Sequence, residues 1–373
     1  LSAEILALMF PLMWTLPMFA KKKMDVLTIS ESEYTYIWQE LQSQQMVFHP
    51  TLAPAGRFNS QEFFRALETK SFSLFIDRNI LSSLLQFCEE GHIKNAEAKR
   101  IGVLMTWARL CGIDISAGLA VRERSSQCHS QSNALLELQK FFDVFDQYPL
   151  QMWLQVATGQ LTEIPRIASS GKAAYSISVD YSDPGDHYEM AVASLLHLVW
   201  LYRNNDATPL EKIRNFYLWL YDNLLISEYL LVYAAMLFTN QSKIKAPKRA
   251  NSNNLKAIIS GCENQAWDIS YLTNWSTLYS EPERYDKEFL FATNDNLLKL
   301  IFINANRPYR LNGVLFSVLP KREYDQVIEL FQEKQSVRMK PDFGANPSVY
   351  FRALIETETD RLLSLPGIED TSS

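Results

Sequence analysis

Several residue types are scarce in this 373-residue chain, and each scarcity excludes a class of protein. The four cysteines are widely separated and include no Cys-x-x-Cys pair, which argues against a zinc ribbon and a disulfide framework. Glycine numbers only 12 and charged residues make up 21%, so the chain is neither collagen-like nor broadly disordered. The five histidines show no His-Glu-x-x-His spacing. What remains is a globular protein with 47% apolar residues, long enough for about two or three domains.

Positive charge is also in deficit. The formal net charge is -6 and the sequence pI is near 5.6, which argues against a generally basic nucleic-acid coat protein. Any polyanion must therefore bind to a local patch. The one basic, turn-rich segment is residues 240–254, and its candidate phosphate-guiding residues are Lys243, Lys245, Lys248 and Arg249. The same composition also fits a solvated loop.

The amino-terminal 23 residues need a separate interpretation. This stretch is largely apolar and ends in three lysines, but Glu4, Pro11 and Pro17 interrupt it and it barely reaches the length of a membrane span. We expect an upstream extension from start-site assignment, with an ordinary start at Met24, in preference to an anchor. Later apolar runs are all broken by polar residues. The sequence therefore predicts a cytoplasmic protein without membrane contact unless residues 1–23 are retained.

Two apolar strand patterns each run into an aspartate. The first, over residues 73–76, stops at Asp77, and the second, over 287–293, leads into Asn294 and Asp295. Open α/β sheets build their sites at the carboxyl ends of strands, so these carboxylates are candidates for a metal-assembling acidic site. Each could also simply cap the helix that follows it.

Two more candidate carboxylates lie on predicted helices. Residues 113–123 predict a short extended piece leading into a helix whose first turns carry Glu123, and Asp268 lies in the helical segment 258–279. Taken singly, either residue could be an ordinary surface charge. Hydrophobic periodicity also predicts helices over about 31–45, 79–89 and 96–110. It predicts mostly helical structure over 130–256 and a strand over 311–319.

The motifs around these acids resemble those of the PIN-domain ribonucleases. Residues 77–81, Asp-Arg-Asn-Ile-Leu, are similar to that family's first motif, an Asp at a strand end followed by any residue, Asn and two aliphatics. Thr293-Asn294-Asp295 is similar to its late motif, in which a Thr precedes the last acid by two positions. Glu123 and Asp268 match the family's two intermediate acids in order and context.

The resemblance implies a fold. It covers about residues 70–130 and 255–320, and implies a PIN-like three-layer α/β/α sandwich with a central parallel sheet. The residues between would form a large, mostly helical insertion. The predicted organisation is an apolar extension (1–23), an N-terminal helical segment (24–69), a PIN-like domain (70–320) interrupted by the insertion at about 130–256, and a C-terminal helical appendix and tail (321–373).

The resemblance also implies a metal-dependent nuclease, with RNA as substrate and single-stranded DNA as the alternative. Asp77 and Asp295 would be metal ligands, and Glu123 and Asp268 further ligands or water-positioning groups. The residues expected to support them by hydrogen bonds are Asn79, Thr293 and Asn294. A carboxylate cluster without His or Cys suits Mg²⁺ or Mn²⁺ better than Zn²⁺.

Other functions stay open at this point. A haloacid-dehalogenase phosphatase needs a second Asp two positions after Asp77, where this chain has Asn79, so that class is disfavoured. A non-catalytic protein could keep a PIN-like fold and bind nucleic acid, or a protein partner through the helical insertion. A membrane-tethered form of either depends on residues 1–23.

Overall fold

The computed structural model of the chain describes residues 29–168, 179–241, 244–280, 287–338 and 341–370. Within these residues the protein is mixed α/β and mostly helical, so the coarse fold-class prediction is confirmed. The predictions for residues 1–23 and Lys243 lie outside the described residues. Across the described ranges, no helix combines the length and hydropathy needed to cross a bilayer.

Fifteen helices and four short strands occur in the described part of the chain. The helices are α1 (Glu31–Gln44), α2 (Ser60–Leu67), α3 (Arg78–Glu90), α4 (Asn95–Leu110), α5 (Gly118–Gln127), α6 (Gln131–Gln147), α7 (Leu150–Ala157), α8 (Asp186–Arg203), α9 (Pro209–Asn223), α10 (Glu228–Phe238), α11 (Leu255–Tyr279), α12 (Asn296–Ala305), α13 (Arg310–Val318), α14 (Lys321–Val337) and α15 (Pro347–Leu363). The strands are β1 (Val47–Phe48), β2 (Ser71–Ile76), β3 (Asp114–Ser116) and β4 (Lys287–Ala292).

Residue contacts divide the chain into two compact units. Unit 1 contains the chain up to Leu41 together with Phe72–Asp183, and unit 2 contains Gln42–Ser71 and Pro184–Ser373. Each unit has its own buried apolar residues and its own pair of strands. The two predicted strand-end aspartates therefore belong to different units.

Unit 1 is built on a parallel pair of strands. β2 pairs with β3 in the register Ser73 to Asp114, Leu74 to Ile115 and Phe75 to Ser116, and α3 and α4 make the connection between them. Every residue of β2 from Phe72 to Ile76 is buried, and all of these residues except Ser73 are apolar, as is typical of a strand covered on both faces. Because parallel strands end at the same edge, Asp77 and the start of α5 lie together at the carboxyl edge of this pair.

Unit 2 contains an antiparallel pair and a helical core. β1 pairs with β4 in the register Val47 to Ala292 and Phe48 to Phe291, and the Thr293 amide donates to the Met46 carbonyl at 2.9 Å. Helix α11 packs against both β4 and α12. The indole of Trp275 on α11 joins helix to strand by donating to the Phe289 carbonyl at 2.9 Å.

A polar cluster joins three helices of unit 2 and is formed by the buried residues His197, Trp219 and Glu358 together with half-buried Arg361. Glu358 on α15 is 1% exposed. Its Oε2 lies 2.9 Å from Nδ1 of His197 on α8, and its Oε1 accepts from the Trp219 indole on α9 at 2.9 Å. The rings of His197 and Trp219 stack with centroids 4.5 Å apart. His197 is therefore a hydrogen-bonded residue of the core of unit 2.

Local sequence signals account for several element boundaries. Ser30 and Glu33 form reciprocal hydrogen bonds at the start of α1, as their spacing predicts. The predicted strand over 311–319 is wrong, because these residues form α13. Val314 and Leu315 are buried while Phe316 is 65% exposed, a one-sided pattern that a helix produces. A short apolar run cannot by itself distinguish a strand from a helix.

Candidate functional site

Asp77 follows β2 directly and begins α3. Its side chain is buried, with the residue only 3% exposed, and its Oδ1 accepts the Ile80 backbone N–H at 2.8 Å. The backbone of Asp77 is extended, as expected for a residue that caps a helix without belonging to it. The carboxylate is therefore held in one place at the carboxyl edge of the parallel pair.

The helix that carries Glu123 reaches the same edge. Arg78, next to Asp77, donates from Nη1 to the Ala120 carbonyl on α5 at 3.3 Å and pairs with Glu137 at 2.8 Å. Ala120 and Glu123 are three residues apart and so share a face of α5. Glu123 is half-buried. Unit 1 thus places Asp77 and α5, the helix that carries Glu123, at one edge of its strands.

Asp295 is the counterpart of Asp77 in unit 2. It follows β4 after Thr293 and Asn294, and its Oδ1 accepts the backbone N–H groups of Leu297 at 2.7 Å and Leu298 at 2.9 Å. Both capping bonds use Oδ1, so the cap does not consume Oδ2 of this half-buried carboxylate. Unit 2 therefore repeats the order of strand, aspartate and helix seen in unit 1.

Asp268 lies on α11, which packs against the two elements that flank Asp295. The residue is half-buried, and its Oδ2 accepts the Gln265 side-chain amide at 3.0 Å. The predicted helical setting of Asp268 is confirmed. Unit 2 thus contains a strand-end aspartate and a second acid on a helix packed beside it, as unit 1 does.

The three predicted supporting residues lie in different environments. Thr293 is fully buried, and its Oγ1 accepts the Asp295 backbone N–H at 2.9 Å. Asn294 is half-buried, and Asn79 is exposed in the first turn of α3. Thr293 thus holds the backbone of Asp295 at the end of β4.

The four candidate ligand residues, Asp77, Glu123, Asp268 and Asp295, all offer carboxylate oxygens, which hard divalent cations prefer. In the ranges that the structure describes, no three His, Cys, Asp or Glu side chains are grouped so that they could hold a metal ion. Mg²⁺ commonly binds proteins through one or two carboxylates and keeps several waters, which substrate phosphates complement. The chemistry of the donors fits that mode of binding.

Sequence reasoning missed a charged cluster at the start of β4. His49 Nδ1 accepts the Leu52 backbone N–H at 3.0 Å, so Nε2 carries the proton and donates to Glu288 at 3.3 Å. The hydrogen bond from His49 is the largest influence on the pKa of Glu288 and lowers it. Burial raises this pKa and Lys70 lowers it, so that the pKa is about 2. His49 and Glu288 are 239 positions apart, so no local motif could reveal this pair.

The basic segment contains a turn with a fixed position in unit 2, which we call the basic turn (residues 247–251). Lys248 and Arg249 are exposed there, as is Lys245 just before it. The carbonyl of Lys245 accepts the Tyr233 hydroxyl at 2.8 Å. Arg203 Nη1 donates to the carbonyls of Ala250, at 3.2 Å, and Ser252. Backbone contacts thus anchor the segment while its cationic side chains face solvent.

Gly261 on α11 lets the basic turn lie against that helix. A Cβ at this position would be 1.7 Å from the Lys248 carbonyl oxygen and 2.8 Å from its carbonyl carbon. These are backbone atoms, so the turn itself would have to move. We therefore expect Gly261→Ala to lower the free energy of unfolding by about 1–3 kcal/mol, the range typical of overpacking. Urea titration followed by circular dichroism measures this change.

Gly118→Ala is the matched control, because the nearest atom to its new Cβ would be the Tyr181 hydroxyl at an ordinary 3.6 Å. That variant should be neutral or slightly more stable, since alanine favours a helix over glycine. Equal stability of Gly261→Ala and wild type would contradict the close contact.

No protein-family model, no curated protein and no solved structure matches the chain.

Proposed function

We propose that the chain is a metal-dependent nuclease of the PIN-like kind that hydrolyses phosphodiester bonds in RNA. The observation that supports this most is the repeated arrangement at Asp77 and Asp295. In each unit a buried strand is followed, within three residues, by an aspartate that caps the next helix, and a second acid lies on a packed helix. In the proposal, Asp77 and Asp295 are metal ligands, each within its own unit, and Glu123 and Asp268 are further ligands or position water beside them.

The proposed fold is a PIN-like α/β/α sandwich with a central parallel sheet and a helical insertion at about 130–256. The parallel β2–β3 pair, with Asp77 at its carboxyl edge, supports it. The helices from α6 to α10 lie within the proposed insertion.

A bound Mg²⁺ or Mn²⁺ would lower the pKa of a water nucleophile and neutralise the charge that develops on the phosphate. The residues of the chain have simpler tasks. The helix caps hold Asp77 and Asp295 in position before substrate arrives, and Thr293 holds the backbone of Asp295. Such prior positioning saves reorganisation at the moment of reaction.

The direct test uses the full chain with fluorescently labelled single-stranded RNA and single-stranded DNA of the same sequence. Cleavage is followed with Mn²⁺, with Mg²⁺, and with excess EDTA. We expect RNA cleavage that requires the metal and stops with EDTA. Faster cleavage of the DNA would correct the substrate, and no cleavage with either metal would favour a non-catalytic protein that binds a partner through the helices of residues 130–256.

The proposed RNA contact includes Lys245, Lys248 and Arg249. We expect the triple glutamine variant to bind single-stranded RNA more weakly and with less dependence on salt. Each phosphate contact on a single strand contributes about 0.7 to the slope of log affinity against log salt, so three contacts should lower its magnitude by about 2. Fluorescence anisotropy over a salt series measures the slope.

A matched control removes three exposed cations elsewhere, at Lys94, Arg100 and Lys321. If both triple variants change the slope equally, the effect is general net charge and the basic segment has no special role. If the slope of the first variant equals that of wild type, the segment does not contact RNA.

A further inference from the structure

A second cationic feature of unit 2 lies apart from the residues proposed for catalysis. An open pocket of about 550 Å³ is formed by the end of α8, the first turn of α9, the basic turn and the chain just after α15. This volume falls within the range of small-molecule sites, about 300–1,000 Å³. Its polar lining residues are Tyr202, Arg203, Asn205, Lys212 and Asn251.

Two cations line the pocket, and no acidic side chain is among the described residues that line it. Arg203 uses Nη1 for its bonds to the Ala250 and Ser252 carbonyls, so the N–H groups on Nε and Nη2 are not consumed by them. Lys212 donates to the Tyr202 carbonyl at 3.2 Å, which leaves two of its three N–H groups. Neither cation forms an ion pair with a described residue.

The environment of Lys212 is consistent with an uncompensated charge. Burial lowers the pKa of this half-buried lysine, and no carboxylate offsets the effect. Asparagine side chains at positions 205 and 251 add hydrogen-bond donors and acceptors to the same wall. The pocket thus offers two positive charges and neutral polar groups to a ligand.

We propose that this pocket binds a small phosphate monoester, with Arg203 and Lys212 holding the phosphate group. A monoester carries about -1.5 to -2 charges near pH 7 and so matches two cations, whereas an internal phosphodiester carries one negative charge. The guanidinium can hold two phosphate oxygens at once and the ammonium acts as a point charge beside it. The amide side chains and the Tyr202 ring are placed to contact the esterified group.

The test is isothermal titration calorimetry of the full chain with AMP, inorganic phosphate and adenosine. We expect AMP and phosphate to bind and adenosine not to bind. Lys212→Gln should weaken AMP binding at least about tenfold, since it removes a charge-assisted hydrogen bond. Lys212→Arg keeps the charge and should retain most of the affinity. Arg214→Gln, which removes an exposed charge two positions along the same helix and outside the pocket lining, should bind as wild type does.

Arg203 also holds the basic turn through its hydrogen bonds, so its variants could disturb the fold. For that reason the test uses variants of Lys212. The inference is overturned if AMP and phosphate give no heat at millimolar concentration, or if Lys212→Gln and Arg214→Gln bind AMP equally well. It is also overturned if a single-stranded oligonucleotide without a terminal phosphate binds as tightly as AMP and loses affinity in Lys212→Gln. Asp77→Asn and Asp295→Asn should bind AMP normally, so this site and the proposed nuclease site can fail separately.

Discussion

Asp77→Asn and Asp295→Asn are each expected to reduce metal-dependent RNA cleavage by at least about 100-fold while the protein remains folded. Asparagine caps a helix about as well as aspartate, so the bonds to Ile80, Leu297 and Leu298 should survive the exchange. It lacks the negative charge that a hard cation requires of a strong ligand. These variants therefore separate the capping role from metal binding, which alanine would not do. Initial cleavage rates at saturating Mn²⁺ or Mg²⁺ measure the effect.

The matched control is Asp206→Asn, which makes the same exchange at an exposed position. It should cleave at the wild-type rate. Far-ultraviolet circular dichroism and the thermal midpoint of all three variants establish that each is folded. Wild-type cleavage by both strand-end variants would mean that these aspartates only cap helices and that the active-site proposal is wrong.

Glu358→Ala is expected to lower the free energy of unfolding by about 1–3 kcal/mol, the range typical for leaving a buried hydrogen-bonding group without its partner. The variant leaves His197, the Trp219 indole N–H and Arg361 without the carboxylate that they share. These groups lie on three different helices of unit 2, so the loss weakens the contacts among α8, α9 and α15 together. Urea unfolding followed by tryptophan fluorescence measures the change.

The same variant should make unit 2 more sensitive to acid. Burial lowers the pKa of His197 below its usual 6.5, while the hydrogen bond to Glu358 raises it and Arg361 lowers it. A histidine with a depressed folded pKa contributes stability above about pH 6.5 that declines as the pH falls toward the folded pKa. Removing Glu358 removes the raising effect, so the decline between pH 7.5 and 5.5 should be larger than in wild type.

Glu356→Ala is the control, since Glu356 is exposed on the same helix. It should change the free energy of unfolding by less than about 0.5 kcal/mol, as surface substitutions usually do. A Glu358→Ala protein as stable as this control would show that the buried cluster contributes little to the stability of unit 2.

Local signals in the sequence predicted the strands and helices that carry the candidate acids of both units. The continuous apolar run before Asp77 and the cap it forms are properties of adjacent residues, as is the capping box at Ser30. The helix carrying Asp268 followed from periodicity in the same way. The weak case was α13, whose short apolar run contains too few turns for its period to be read.

Contacts between distant segments could not be predicted. His197 and Glu358 are 161 positions apart, and each taken alone is an unremarkable core histidine or helix glutamate. The pocket around Lys212 is formed by four separate segments, none of which contains a phosphate-binding motif. A single sequence shows which residues are apolar or charged, but it does not show directly which distant segments come into contact.

The caps at Asp77 and Asp295 also bear on the protein before any cation arrives. Peptide dipoles aligned along α3 and α12 place a partial positive charge at each helix N-terminus, and an anionic side chain there gains about 0.3–1 kcal/mol. This attraction offsets part of the cost of holding a carboxylate in a buried or half-buried position. The caps therefore hold both carboxylates in place without a metal, and in the proposed function a divalent cation would bind to acids that are already positioned.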